Sequence, residues 1–437
     1  MNRRHLLCCS AALATGLFTA LAVGTAAPRG GWRNPCRGPL PRELAQHDLV
    51  LSAWDGIDPA QVWDAHAHLL GTGDSGSGCR VHAQMHQWWH PGEVLRRHAI
   101  LNAACVPGAA ASVDRAYVER LATLMQDFPA GVQWCLFAFD HACDEAGREH
   151  QDWTTFHVPN DYAARISAGA PERLRWVASV HPYRADAVAC LQAAIAGGAV
   201  AVKWLPSAMN IDLRHPRCRP VYELLARHEV PLIVHCGEEK AVPGAGRDDF
   251  GNPLLVRAPL EAGVRVIVAH AASLGHARDL DRRSRPRRAA FELWARLMDE
   301  PAWRDRLLAD VSAVFQVNRP PAVWRTVLTR DDWHPRLLHG SDYPLPGVMP
   351  LYSAERLAAA GLLKADAVPV LDAIREHNPL LFDFVLKRQL RTGNARLNAG
   401  VFESRRHLQP REGAVYSRPH TEQAPRSAWA RQDGAGS

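Results

Sequence analysis

Eight apolar runs of strand length, separated by stretches with helical spacing, constrain this chain more than any other feature. They cover residues 62–66, 132–139, 174–181, 199–203, 230–235, 264–270, 307–311 and 337–342. Strand and helix alternating at this interval predict repeated βα units, and hence an α/β fold built on a parallel sheet or barrel. Residues 184–196, 221–228 and 289–298 carry apolar side chains three and four apart, as helices covering a sheet require. A ninth apolar run, 100–106, is Ala-rich without β-branched alternation, and reads as a helical insertion in the first connection. Residues 71–91, rich in Gly, His and Trp, read as an irregular loop over the mouth.

The chain has 437 residues, 47% of them hydrophobic and 22% charged, enough to bury a large core. A barrel of about 250 residues fits inside it as one domain. The formal charge of +6 is modest for this length, and basic residues do not interleave with aromatics, so no nucleic-acid partner is expected. The Arg-rich stretch 282–288 reads as a solvated loop. Ten cysteines without Cys-x-x-Cys spacing argue against a structural zinc ribbon. Loop cysteines such as Cys36 or Cys79 are candidates for a disulfide, with partners that spacing alone does not assign.

The first residues read as an address. Arg3-Arg4 precedes an apolar stretch, 6–24, and a small-residue cleavage site at 25–28, a pattern expected of an export signal resembling the twin-arginine type. An uncleaved membrane anchor stays open, because the apolar stretch is nearly long enough to span a bilayer. Residues 1–27 are therefore read as signal or anchor, 28–60 as an N-terminal extension, 61–408 as the barrel and 409–437 as a disordered tail. A periplasmic or secreted location is the expectation, with membrane contact only through the N-terminal segment.

Chemistry gathers where the runs end. His66 and His68 form a His-x-His pair at the end of the first run. Lys203, His235, His270 and Asp342 close the fourth, fifth, sixth and eighth. Singly, each has an ordinary explanation as a core histidine, an ion-pair lysine or a capping aspartate. Together they fall at the strand ends that form one rim in a closed parallel barrel, where such folds carry their chemistry. Imidazole and carboxylate in that pattern are ligands for zinc, manganese or iron. Cys236 follows His235 but, by strand alternation, faces away from the barrel interior.

On these residues the chain resembles the amidohydrolase superfamily of metal-dependent (β/α)8 barrels over residues 62–382. The segments 202–206 and 339–344 resemble its amidohydrolase-2 branch, which includes aminocarboxymuconate-semialdehyde decarboxylase. The resemblance implies a TIM barrel with an N-terminal extension and an insertion after strand 1. It further implies that His66, His68 and Asp342 bind a divalent metal, most simply zinc. His235 and His270 would bind a second ion, with carboxylated Lys203 bridging the two. In single-metal members the ligands are the His-x-His pair, the fifth-strand histidine and the aspartate, and His270 would act on substrate. Asp342 is the expected proton acceptor and donor.

The expected function is hydrolysis of an amide, ester or lactone bond in a small molecule. A mononuclear nonoxidative decarboxylase and a non-catalytic metal or solute binder are the alternatives. Glu238 or Glu239 is expected to orient a ligand histidine, and Trp204, Asn210, His181 and Tyr183 to border the mouth. His82, His86 and His90 read as surface or lid residues. The resemblance also brings the expectation of a homodimer, since many relatives pair.

Overall fold

The computed structural model describes residues 31–409. Each of the eight runs overlaps a strand: β1 Trp63–His68, β2 Gln133–Phe137, β3 Leu174–Val177, β4 Val202–Trp204, β5 Leu232–His235, β6 Val266–Ala269, β7 Leu307–Asp310 and β8 Leu337–Leu338. Parallel pairing links β1 to β2 and β2 to β3, and runs in sequence from β4 to β8. Two further contacts close the ring. Ala178, just past β3, bridges Val202 of β4 in parallel, and Lys203 N donates to Ala178 O at 2.8 Å. Ala67 of β1 bridges Tyr343 past β8, with Ala65 N donating to His339 O at 2.9 Å. The strands follow chain order all the way round, and the architecture is the expected α/β barrel.

Alternation sorts side chains into two apolar compartments. Ala65, Cys135, Val177, Ile233, Ile267 and Leu308 belong to the cluster inside the barrel, which Leu408 of the C-terminal segment also joins. The larger cluster lies between strands and helices and includes Cys236, so that cysteine does face outward. The helix at Ala290–Asp299 shows how the outer layer is made. It buries Ala290, Phe291, Leu293, Trp294, Leu297 and Met298, the three-and-four spacing that one helix face presents to a sheet. The other two expected helices form at Ala187–Ala196 and Arg219–Arg227, the latter with proline in its first turn, where a missing N–H costs nothing.

One irregularity in β1 decides where its histidines point. Asp64 pairs with Trp134 and Ala67 with Leu136, so three steps along β1 match two along β2. The extra residue is a β-bulge, which re-aims the side chains beyond it. Without it, His66 would share the outward face of Asp64. With it, Ala65 and His66 both face inward and His68 lies opposite Phe137.

The first connection begins as the expected irregular loop over residues 71–79 and becomes ordered beyond it. Its strand Arg80–Val81 pairs with Phe156–His157, and helices follow at Pro91–Ala103 and Val113–Met125. Of the expected helical stretch 100–106, residues 100–103 form the last turn of the first of these, and 104–106 lie beyond its end. The fully buried Asp114 carboxylate gathers the loop by accepting from Thr72 N, Gly73 N, Ser75 N, Ser75 Oγ and Ser77 Oγ. Cys36 forms a disulfide with Cys105, while Cys79, the other candidate, is buried and free beside that loop. Residues 281–285 are exposed at the tip of a hairpin between His276–Arg278 and Arg287–Ala289. No helix among the described residues is long and apolar enough to cross a membrane. The N-terminal address and all but the first residue of the expected tail lie outside the described residues.

Candidate metal centre

The strand ends deliver their side chains to one face of the barrel. His66 and His68 come from β1, Lys203 from β4 and His235 from the last position of β5. His270 directly follows β6, and Asp342 follows β8. Both His270 and Asp342 are left-handed, with φ of 55° and 59°, as are Ala271 and Ala272 after the former. That conformation costs a residue with a Cβ on the order of 1–3 kcal/mol, and its concentration at a site marks backbone shaped for position.

Asp342 is the focus. Its Oδ1 lies 3.0 Å from His68 Nε2 and 3.5 Å from His66 Nε2, and its Oδ2 lies 3.9 Å from His270 Nε2. Hydrogen-bond partners assign the protons on two of these rings. His270 Nδ1 is 3.1 Å from Ser312 O, a carbonyl that only accepts, and His66 Nδ1 is 2.9 Å from Asp310 Oδ2. Both rings therefore carry hydrogen on Nδ1. Burial holds their pKa values well below the usual 6.5, so both are neutral and turn an Nε2 lone pair toward the Asp342 carboxylate. Lone pairs converging on a carboxylate repel one another unless a cation lies between them. His66, His68 and Asp342 offer ligand atoms within 4.8 Å of one another, and this nitrogen and oxygen donor set suits a divalent ion.

A second triplet, His66, His270 and Asp310, is equally close-set, but the lone pairs of its carboxylate are already used. Asp310 Oδ1 accepts from His270 N at 3.0 Å, from Ser312 N at 3.1 Å and from Ser312 Oγ. Its Oδ2 accepts from His66 Nδ1. Asp310 thus supports two histidines from behind, as carboxylates behind ligand histidines commonly do. Neither Asp310 nor Ser312 was singled out from sequence, although Asp310 ends its strand just as Lys203 and His235 end theirs.

The remaining candidates divide. The His235 ring lies 5.3 Å from that of His270, and its Nε2, 3.4 Å from Glu239 Oε2, makes no hydrogen bond. Of the two glutamates, Glu239 is the one that approaches it. Glu239 Oε1 accepts from Ala241 N and Val242 N, whereas Glu238 is half exposed beside Lys240. Lys203 is fully buried over the Phe137 ring, its Nζ lacks a hydrogen-bond acceptor, and burial pushes its pKa down to about 8. Asp64 on β1 is buried. Its Oδ1 accepts from His66 N and Ser341 N, tying β1 to the segment after β8, and burial raises its pKa to about 6.

Trp204 and His181 do not border the mouth. Alternation puts Trp204 on the face opposite Lys203, where its indole N–H donates to Val180 O in the outer core. His181 has both ring nitrogens engaged, with Met209 O and Tyr183 N, and is fully buried. Tyr183 is buried too, and Asn210 is held by Cys143 O. A cavity of about 330 Å³ lined by Arg80, His82, Gln84, His141 and Thr154, among others, shares no residue with the metal group.

The amidohydrolase family model Amidohydro_2 matches residues 63–382. Among solved structures, a putative 2-pyrone-4,6-dicarboxylic acid hydrolase from Pseudomonas putida is 18% identical, with 74% of this chain and 97% of that chain covered and a TM-score of 0.41. A 2,6-dihydroxybenzoate decarboxylase from Rhizobium is 13% identical, with 74% and 97% covered and a TM-score of 0.38. An uncharacterized TIM-barrel protein from Bordetella bronchiseptica is 16% identical, with 69% and 100% covered and a TM-score of 0.40. No curated protein sequence matches the chain. The family match runs from the first strand past the last and takes in every residue of the metal group, so the chain belongs to the amidohydrolase family, whose members are metal-dependent enzymes.

Proposed function

We propose that this protein hydrolyses a carbonyl-type bond, an amide, ester or lactone, in a small molecule, with a divalent ion held by His66, His68 and Asp342. The observation that carries this reading is the approach of three imidazole Nε2 atoms to one buried carboxylate with no proton assigned between two of them and it. Such an ion polarises a carbonyl and lowers the pKa of water to about 7. The chain's own groups do the rest. Asp342 takes the proton of the attacking water and returns it to the leaving group. His270, locked through Nδ1, presents Nε2 beside the reacting bond. Lys203, whose Nζ makes no hydrogen bond, is free either to face the substrate as an amine or to take up carbon dioxide and, with His235, hold a second ion. Zinc is the proposed metal.

A second reading, nonoxidative decarboxylation with a single ion, draws support from His235, whose Nε2 makes no hydrogen bond and is available as the fifth-strand ligand that such a centre takes. Protein purified without chelator should be analysed for metal and offered a panel of esters, lactones, amides and aromatic or unsaturated acids. Hydrolysis that is lost in His66→Ala and Asp342→Ala supports the proposal. Carbon dioxide release without hydrolysis supports the second reading, and a protein that holds no ion and is indifferent to His66→Ala overturns both. Export is part of the proposal. The Cys36–Cys105 disulfide suits an oxidising compartment, and recovery of the full-length protein solely from the cytoplasm of a producing bacterium would refute it.

A further inference from the structure

The hairpin between β6 and the helix Ala290–Asp299 carries six arginines, Arg278, Arg282, Arg283, Arg285, Arg287 and Arg288, all of them exposed. Its two acids do not balance them. Asp279, 3% exposed, and Asp281 turn back to Arg296 and Arg257 outside the hairpin, so none of the six has an ion pair among the described residues. Arg278 stands directly opposite Arg287, and like charges so paired destabilise a two-stranded ribbon. A ribbon that keeps its arginines outward and its carboxylates inward presents a face suited to anions. Guanidinium forks match phosphate oxygens two at a time. No Phe, Tyr or Trp lies between residues 276 and 289, so nucleic-acid bases would find no ring to stack on, and the phosphate group itself is what this face fits.

Exposed apolar side chains gather at the same end of the molecule. The hairpin leaves the end of β6 and the first connection leaves the end of β1, so both stand at the end of the barrel that bears the metal group. The first connection exposes Trp88 to 82% and Trp89 to 58%, and Leu95 is exposed on the helix Pro91–Ala103 that follows. That helix ends against Gly347, past β8. Exposed Trp32 is held there too, because Asn34 N donates to Asn102 Oδ1 at 2.8 Å and Cys36 is bonded to Cys105. Tryptophan favours the boundary between hydrocarbon and headgroups in a bilayer. Between Gly24, the end of the apolar stretch 6–24, and Trp32 the chain can span at most about 28 Å, so the most membrane-like part of the sequence is tethered to this end.

We infer that this end of the barrel docks on a lipid bilayer with anionic phosphate headgroups, the arginines of the hairpin meeting the phosphates and Trp88 and Trp89 seating at the boundary. The contact is additional to any made by the N-terminal segment, is independent of the reaction at the metal group, and turns the mouth of the barrel toward the bilayer. Each arginine held near such a surface strengthens partitioning about fivefold, and salt weakens the effect over a Debye length of about 10 Å.

The test mixes the full chain with vesicles of phosphatidylcholine alone, or of equal parts phosphatidylcholine and phosphatidylglycerol, and reads the bound fraction by sedimentation. The N-terminal stretch contributes equally to every variant, so differences between variants report the hairpin. Binding to the anionic vesicles should be the tighter and should fall as salt rises. Arg282→Ser with Arg283→Ser, both at the exposed tip, should weaken it about 25-fold. Arg227→Ser with Arg304→Ser removes the same charge just ahead of β5 and β7, at the opposite end of the barrel, and should leave binding unchanged. Trp88→Ser with Trp89→Ser should weaken binding to both kinds of vesicle and leave the salt dependence as it was. Circular dichroism confirms folding, and Arg283→Glu alone is read if the double hairpin variant fails to fold. Equal binding to the two kinds of vesicle, or equal binding by the hairpin and control variants, overturns the inference. Hairpin-dependent binding of a DNA oligonucleotide with none to vesicles overturns it as well, and a tryptophan variant that binds like the unaltered protein overturns the seating of those rings.

Discussion

His66 Nδ1 lies 2.9 Å from Asp310 Oδ2, and both side chains are 1% exposed, so one nitrogen of that imidazole is committed and only Nε2 faces the mouth. Because Asp310 Oδ1 also accepts from His270 N and Ser312, a single carboxylate sets the orientation of two histidines.

Asp310→Asn should therefore act through the histidines. An amide oxygen is a weaker acceptor than a carboxylate and leaves His66 less basic at Nε2, so metal affinity is expected to fall about 10–100-fold. Competition with a fluorescent chelator measures the affinity, and circular dichroism checks that the barrel is retained. Unchanged affinity would show that Asp310 is only a packing residue.

Gly340 explains how closely β8 passes β1. A Cβ there would lie 2.7 Å from His66 Cβ and 3.3 Å from Ser312 Cβ. Gly340→Ala must push the His66 backbone, and the expected cost is about 1–3 kcal/mol of stability, as in overpacked cores, together with weaker metal binding. Urea titration measures the first and elemental analysis the second. Gly92→Ala is the matching control, since nothing lies within 4 Å of the added carbon there.

The Cys36–Cys105 bond spans 69 residues and ties the N-terminal lead to the end of the insertion helix. In the chain-entropy account a loop of that length is worth about 4 kcal/mol. Cys36→Ser with Cys105→Ser should lower the denaturant midpoint accordingly, and reductant should lower that of the unaltered protein but not of the variant. A midpoint indifferent to both would mean that the two sulfurs are not bonded in solution.

Acid should destabilise the fold through its buried histidines. Burial holds His157, His181 and His407 at about 4, below the usual 6.5. A histidine with a depressed native pKa contributes stability that is present above 6.5 and lost as pH falls toward 4, because the unfolded chain takes up its proton first. Melting temperature should fall between pH 6.5 and 4, and His181→Gln should flatten part of that slope. A flat profile over this range would contradict the burial of these rings.

The positions of His66, His68, Lys203, His235, His270 and Asp342 at strand ends were legible because apolar alternation is local and a parallel barrel has only one rim. Asp310 obeys the same rule and went unnoticed because Ala309 and Val311 flank it as part of an ordinary apolar run. The helices at Ala187–Ala196, Arg219–Arg227 and Ala290–Asp299 were legible for the same local reason. Trp204 and His181 misled because proximity in sequence to a rim residue says nothing of direction. One step along a strand reverses the side chain, and His181 spends both nitrogens on the loops around it.

The sequence by itself determined the α/β alternation, the barrel and the histidine, lysine and aspartate residues that reach its rim, because these depend on spacing along the chain. Tertiary structure alone decided which of them converge. The bulge that turns His66 inward exists only in the register of β1 against β2, and Asp310 and Ser312 act only through strands that closure makes neighbours. Periodicity records which face a residue prefers, whereas direction and partnership depend on pairing between segments far apart in the chain.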